Sequence, residues 1–308
     1  MKPLFITAII LFLHTACGSS TNKPSATAVQ PTDTLTTLRL PEIPVMLNTP
    51  EQRASYLAEH YWEHINWADT NYIHHPEITE QGWANFIDIL KLIPTTEREN
   101  ALKNTFAAAE VEKKCYQYLI QLADKYLYDP NSPLCNEEYY ITVLDAIIHS
   151  PILTTTEKIR YQERRVLAQR NRIGTPAQNF SYTLISGTSG QLYDIQANYT
   201  LVFFNNPGCH ACGEVMDALK TSKVIRNAIR HKQLKVLSLY PDEDIREWKA
   251  FANSYPREWI NGYDKKQVIQ EKNLYDLKAI PSLYLLDKSK KVLLKDTTTE
   301  EIERWLSQ

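Results

Sequence analysis

The chain has 308 residues, of which 43% are hydrophobic and 23% charged, with a formal net charge of −2. That length holds about two domains of ordinary size, and the composition is that of a globular protein with a proper core. The near-neutral charge excludes the basic footprint of a nucleic-acid binder.

The first residues read as an export signal. Lys2 precedes a nearly unbroken apolar run from Leu4 to Leu13, too short to span a membrane but suited to a secretory signal core. Thr15 and Ala16 then lead to Cys17. This order resembles a bacterial lipobox, with His14 at the position where leucine is usual. The resemblance implies that residues 1–17 are a lipoprotein signal ending at a lipidated Cys17, whose acyl chains hold the chain to a bilayer. An ordinary cleaved signal that contains a cysteine is the alternative. Export also makes the remaining cysteines, Cys115, Cys135, Cys209 and Cys212, candidates for disulfide chemistry. Residues 18–44 are rich in Ser, Thr and Pro without an apolar period, and are expected to form a flexible tether.

Residues 45–172 carry a helical pattern. Thr49 and Pro50 form a start signal, and Leu57, Tyr61 and Ile65 recur at four-residue spacing. A second stripe comprises Trp83, Phe86, Ile87 and Leu90. The stretch 95–128 suits one long helix or two abutting ones, broken at Asp129. Two more helices follow, the last ending at Gly174. A bundle of five or six helices is expected.

Residues 173–308 change texture. Two short runs flanking "GTSG" read as a hairpin, and "TLVFFN" is a buried strand that runs into Cys209. A helix over about 211–231, the strand "LKVLSLY", helices in "DEDIREWKAFANSY" and "KKQVIQEKNLYDL", a closing hairpin and a terminal helix complete the pattern. Parallel βαβ units followed by an antiparallel ββα end predict a mixed sheet with helices on both faces. The fold class is therefore α+β in two domains: a helical bundle followed by an α/β domain.

Cys209 and Cys212 are separated only by His210 and Ala211. Such a pair is a redox couple, half of a zinc site, or two ordinary small residues at a helix start. Together with the strand-to-helix placement of the pair and the "AIPSLYLLD" strand, residues 174–308 resemble the thioredoxin superfamily. The stretch from Gly174 to Ile195 further resembles its membrane-tethered, extracytoplasmic TlpA/ResA-like branch. The resemblance implies Cys209 as the nucleophile, Cys212 as the resolving thiol, and Pro281 as the cis-proline that faces them. Physical chemistry agrees, since the first turn of a helix offers unpaired N–H groups that favour a thiolate at Cys209. His210 either tunes that thiolate or is a spacer on an exposed turn. Three positions depart from the pattern. Gly208 stands where an aromatic is usual, Phe203 where thioredoxins bury an acid, and Val215 where related proteins carry a glutamate, with Glu214 one place earlier. These departures argue against fast general reductase activity.

A four-cysteine zinc site is disfavoured, because Cys115 and Cys135 lie in the other domain. A disulfide between those two is disfavoured by their expected separation along the helix. His60 and His64 match an H-x-x-E-H pattern formally, but their helix is crowded with aromatics, and packing is the plainer reading. The "HHPE" stretch at His74 to Glu77 reads as a loop. No metal or cofactor is expected. The helical domain resembles domains of unknown function that precede thioredoxin-like modules in Gram-negative lipoproteins, and either recognises a partner or spaces the module. The expected activity is thiol–disulfide exchange on exported proteins, outside the cytoplasm, with a separate membrane electron donor or acceptor. A non-catalytic binding lipoprotein whose cysteine pair is a structural disulfide is the alternative.

Overall fold

The computed structural model describes residues 37–308, so the signal, Cys17 and most of the expected tether lie outside the described residues. The packed region begins earlier than residue 45. Leu38 packs on the helical core and Pro41 is buried.

Six helices form the first part of the described chain: α1 (Pro50–His60), α2 (Pro76–Leu90), α3 (Thr95–Ala109), α4 (Lys113–Ala123), α5 (Glu137–His149) and α6 (Thr155–Ala168). Their starts follow local chemistry. Thr49 and Gln52 make a reciprocal capping box on α1, Thr154 and Glu157 make another on α6, and Asn136 caps α5. The stretch 95–128 resolves into two helices, because the chain turns at Glu110–Glu112 and Glu112 caps α4 with its carboxylate. α4 then widens into a π turn, Asp124–Tyr128. Trp83, Phe86, Ile87 and Leu90 of α2 are all fully buried against Leu102, Phe106, Tyr116 and Leu119. The last helix ends at Ala168, short of Gly174, and Asn171 takes a positive φ of 52°. Among the described residues no helix is long and apolar enough to cross a membrane.

The H-x-x-E-H stretch is not one helical face. α1 stops at His60, and both His60 and His64 turn toward Glu63, at 3.1 and 3.4 Å.

The second part is a seven-stranded mixed sheet. Its elements are β1 (Ser181–Leu184), β2 (Ser189–Gln191), β3 (Tyr199–Phe204), α7 (His210–Thr221), α8 (Lys223–Arg230), β4 (Leu234–Tyr240), α9 (Ile245–Phe251), β5 (Ile260–Tyr263), α10 (Val268–Glu271), β6 (Ser282–Asp287), β7 (Val292–Lys295) and α11 (Thr299–Leu306). The order across the sheet is β2-β1-β5-β4-β3-β6-β7, with β3, β4 and β5 parallel and the other pairings antiparallel. Alternation along β3 divides the core. Leu201 and Phe203 face α7, α8 and α11, while Val202 and Phe204 face Phe180, Ile195 and Tyr275.

Three sequence expectations change here. The helix expected over 211–231 is two helices, because Ser222 ends α7 and caps α8 with its hydroxyl. The helix expected in 265–277 shrinks to the single turn of α10. β5 was not expected at all: it is four residues long, contains Gly262, and is held as a strand by pairing with β4 and β1.

The linker between the two parts is itself paired to the sheet. Gly174 N–H donates to Val292 O at 2.8 Å, Val292 N–H to Thr175 O at 2.9 Å, and Ala177 N–H to Lys290 O at 2.9 Å.

Candidate active site

The site forms where β3, held between β4 and β6, ends and the chain turns into α7. Asn205 closes the strand, Asn206 to Gly208 make the turn, and Cys209 is the N-cap residue of α7. Gly208 has a φ of +80°, a conformation that side chains with a Cβ resist. A Cβ there would also stand 3.2 Å from Glu247 Oε1. The glycine that replaces the family's aromatic is thus required by the turn this chain makes.

Cys209 is half-buried, and its sulfur takes the place of the oxygen in an ordinary cap: the Cys212 N–H donates to Cys209 Sγ at 3.3 Å. Its Sγ also lies 3.9 Å from the carbonyl oxygen of Ile280. The Ile280–Pro281 peptide bond is cis. Cys212, one turn deeper, is only 4% exposed, and its Sγ accepts the Asn206 N–H at 3.4 Å. Burial pushes the Cys212 thiol up to about 12, opposed by that N–H and reinforced by Cys209 and the charge of Asp242. Both are free thiols in this structure.

The structure therefore brings Cys209, Cys212 and the residue preceding Pro281 together. His210 points away from this cluster in its contacts: its ring is 89% exposed and faces Glu214 Oε1 at 3.6 Å. Cys115 and Cys135 are free and play no part in it. Cys115 is buried with its sulfur 3.8 Å from Asp69 O, and Cys135 is exposed with its sulfur 4.0 Å from Tyr128 O.

The positions that lack acids are apolar in space as well as in sequence. Phe203 is buried in the core below α7, and Val215 packs against the same cluster. In their place lies a neutral buried network that the sequence reading missed. Asn205 Nδ2 donates to Phe203 O at 2.9 Å and to Ser238 Oγ at 2.8 Å, and its Oδ1 accepts the Tyr255 hydroxyl at 2.5 Å. Burial, and next the charge of a Cys212 thiolate, push Tyr255 up to about 12. The Asn206 side chain donates to Asp242 Oδ2 at 2.7 Å, and Gln270 holds the other oxygen at 3.0 Å. The sequence signal was the Asn-Asn doublet ending an apolar strand just before the cysteines.

Residues 16–171 match the family described as a domain of unknown function (DUF5106), and residues 197–292 match the family described as thioredoxin-like. A crystal structure of a thioredoxin-like protein from Bacteroides caccae is 55% identical to this chain, covers 89% of it and 99% of its own chain, and superposes with a TM-score of 0.85. The C-terminal domain of an uncharacterized protein from Bacteroides fragilis is 59% identical over 45% of this chain and 99% of its own, with a TM-score of 0.44. A domain of a possible thiol-disulfide isomerase from Cytophaga hutchinsonii is 29% identical over 46% and 94%, with a TM-score of 0.38. No curated protein matches the chain. The chain belongs to the thioredoxin-like proteins that carry a DUF5106 domain ahead of the thioredoxin-like fold.

Proposed function

We propose that this protein is a membrane-tethered, extracytoplasmic thiol–disulfide oxidoreductase that acts on the thiols or disulfides of exported proteins. The observation that carries the reading is the asymmetry of the CHAC pair. Cys209 is reachable and caps a helix with its sulfur, while Cys212 is buried one turn below with a backbone N–H on its sulfur.

The chemistry follows from that asymmetry. Cys209 thiolate attacks a substrate disulfide, so one S–S bond breaks, a mixed disulfide forms, and the first substrate sulfur leaves. Cys212 thiolate then attacks Cys209 Sγ, forming the Cys209–Cys212 disulfide and releasing the second substrate sulfur. The two protons lost by the protein thiols end on the substrate thiols, and two electrons pass to the substrate. In the other direction the same steps oxidise a dithiol. Pro281 and the Ile280 backbone beside Cys209 are positioned to align a substrate segment. Lipidated Cys17 anchors the chain to the bilayer, and a separate membrane donor or acceptor resets the pair.

The test is the reduction potential of the pair in a chain that starts after residue 17, equilibrated in thiol buffers and read by counting alkylated cysteines. A value near or below about −270 mV identifies a reductant, and about −120 to −180 mV an oxidant or isomerase. A pair that does not cycle in any buffer removes the enzyme reading and leaves the binding module. Cys212→Ser is expected to trap substrates on Cys209, and Cys209→Ser to capture none.

A further inference from the structure

The loop from Asp276 to Pro281 leads into β6 and brings the Ile280 carbonyl to Cys209. It is fastened to the helical domain by a buried ionic cluster. Lys278 Nζ lies 3.3 Å from Glu137 Oε1, at the first residue of α5, and 3.5 and 4.0 Å from Asp276 Oδ2 and Asp296 Oδ2. The same ammonium stands 4.8 Å from the centre of the Tyr128 ring, which the π turn after α4 projects toward it. Lys295 Nζ meets the other Glu137 oxygen at 2.6 Å and the Arg170 carbonyl at 3.0 Å. On the far side of the proline, Ser282 Oγ donates to Asp296 Oδ1 at 2.8 Å. The residues three before and one after Pro281 are thus tied to one cluster, and Glu137 is its contribution from the helical domain.

The cluster is dry. The Lys278, Lys295 and Glu137 side chains are 6%, 5% and 14% exposed. The hydration lost by charges buried this way can exceed what pairing returns, so the cluster is a weak source of net stability, and the best-attested use of such groups is to fix register. What this cluster registers is the helical domain against the loop that flanks the nucleophile. Arg172 and Glu138 make a neighbouring ion pair within the helical part of the chain, in more exposed surroundings and without touching that loop.

We infer that Glu137 is a positioning residue for the thiol site, holding the loop that presents Ile280 and Pro281 to Cys209, so that the helical domain is a working wall of the site. The inference rests on the oxidoreductase reading for its consequence in turnover, and on geometry alone for its effect on Cys209.

The experiment uses the chain starting after residue 17 in a Cys135→Ser background, where Cys209 is the accessible thiol among the described residues. Glu137→Gln, Lys278→Met and, as control, Glu138→Gln are compared by Cys209 alkylation rate, by pair potential, and by KM and kcat for a reducible protein disulfide. Loosening the loop withdraws a carbonyl oxygen and a steric cap from Cys209 Sγ. Glu137→Gln and Lys278→Met are therefore expected to speed alkylation at least about threefold and to raise KM more than they lower kcat. Glu138→Gln is expected to match the parent in both. Folded Glu137→Gln and Lys278→Met chains whose Cys209 alkylates like the parent, or a Glu138→Gln chain that changes as much, would overturn the inference. Lys278→Met decides the matter if Glu137→Gln does not fold. A parent chain that alkylates at Cys209 yet never exchanges disulfides defeats the oxidoreductase reading instead, and the alkylation rates still judge the positioning role.

Discussion

Phe203 meets the indole of Trp259 edge-on, with ring centroids 6.4 Å apart and planes at 89°. This contact occupies the position where thioredoxins bury an acid, on the face of β3 that packs under α7. The position is committed to the core, and an acid cannot be restored there cheaply. Replacing the ring costs about 3–5 kcal/mol in cavity and transfer energy, and an unpaired carboxylate in the same place adds more. Phe203→Asp is therefore expected to lose at least about 3 kcal/mol in urea unfolding. An unchanged midpoint would contradict the packing described here.

Burial raises the Cys212 thiol most, and Asp242, which accepts from the Asn206 side chain, is the carboxylate whose charge adds to that rise. Asp242→Asn keeps an acceptor for Asn206 but removes the charge. The Cys212 thiolate then forms more readily, so the second exchange step at neutral pH is expected to quicken. The lifetime of a mixed disulfide on Cys209, measured by acid quench, should shorten. A longer lifetime would mean that Asp242 acts by accepting the Cys212 proton.

Accessibility predicts a labelling pattern. In the folded, reduced chain at mildly alkaline pH, iodoacetamide is expected to label Cys209 and Cys135, and to leave Cys212 and Cys115 until the chain is unfolded. Burial raises both protected thiols, Cys212 to about 12. Cys135 is open to solvent, but packing around its sulfur raises its thiol too, with Lys278 opposing, so its label should arrive slowly. Peptide mapping reads all four sites, and early label on Cys212 would count against its burial.

Glu157 gives a pH prediction. Its hydrogen bond to Lys113, followed by those to Thr154, holds the carboxyl well below the ordinary value of 4.5, at about 2. A depressed folded value means the interaction stabilises the protein above pH 4.5 and is lost as pH falls toward about 2. Glu157→Gln should flatten the fall in stability across that window. Because the group is at the surface, salt should weaken the effect. An identical slope in both proteins would show that the pair contributes nothing.

Much of this was legible because it is local. Thr49-Pro50 announced α1, the Trp83–Leu90 stripe announced the buried face of α2, and two cysteines at the end of an apolar strand announced the site. What stayed hidden depends on partners distant in sequence. β5 is a strand because β4 and β1 flank it, and Gly262 is small because Tyr182 lies against it. Ser222 reads as an ordinary polar residue until its hydroxyl is seen capping α8. Asn205 gains meaning only from Ser238 and Tyr255, 33 and 50 residues away. Lys278 and Glu137, 141 residues apart, give no sign of each other in sequence.

The linker hydrogen bonds to Val292 and Lys290 make the passage between the two domains a guard for the sheet's outer margin. Without them the start of β7 would offer unpaired backbone groups to any extended chain, a template for sticking copies together. A shortened protein that keeps Gly174 to Ala177 carries its own cover. One that begins after them bares that margin, and its failure would be clumping in the tube rather than loss of redox chemistry.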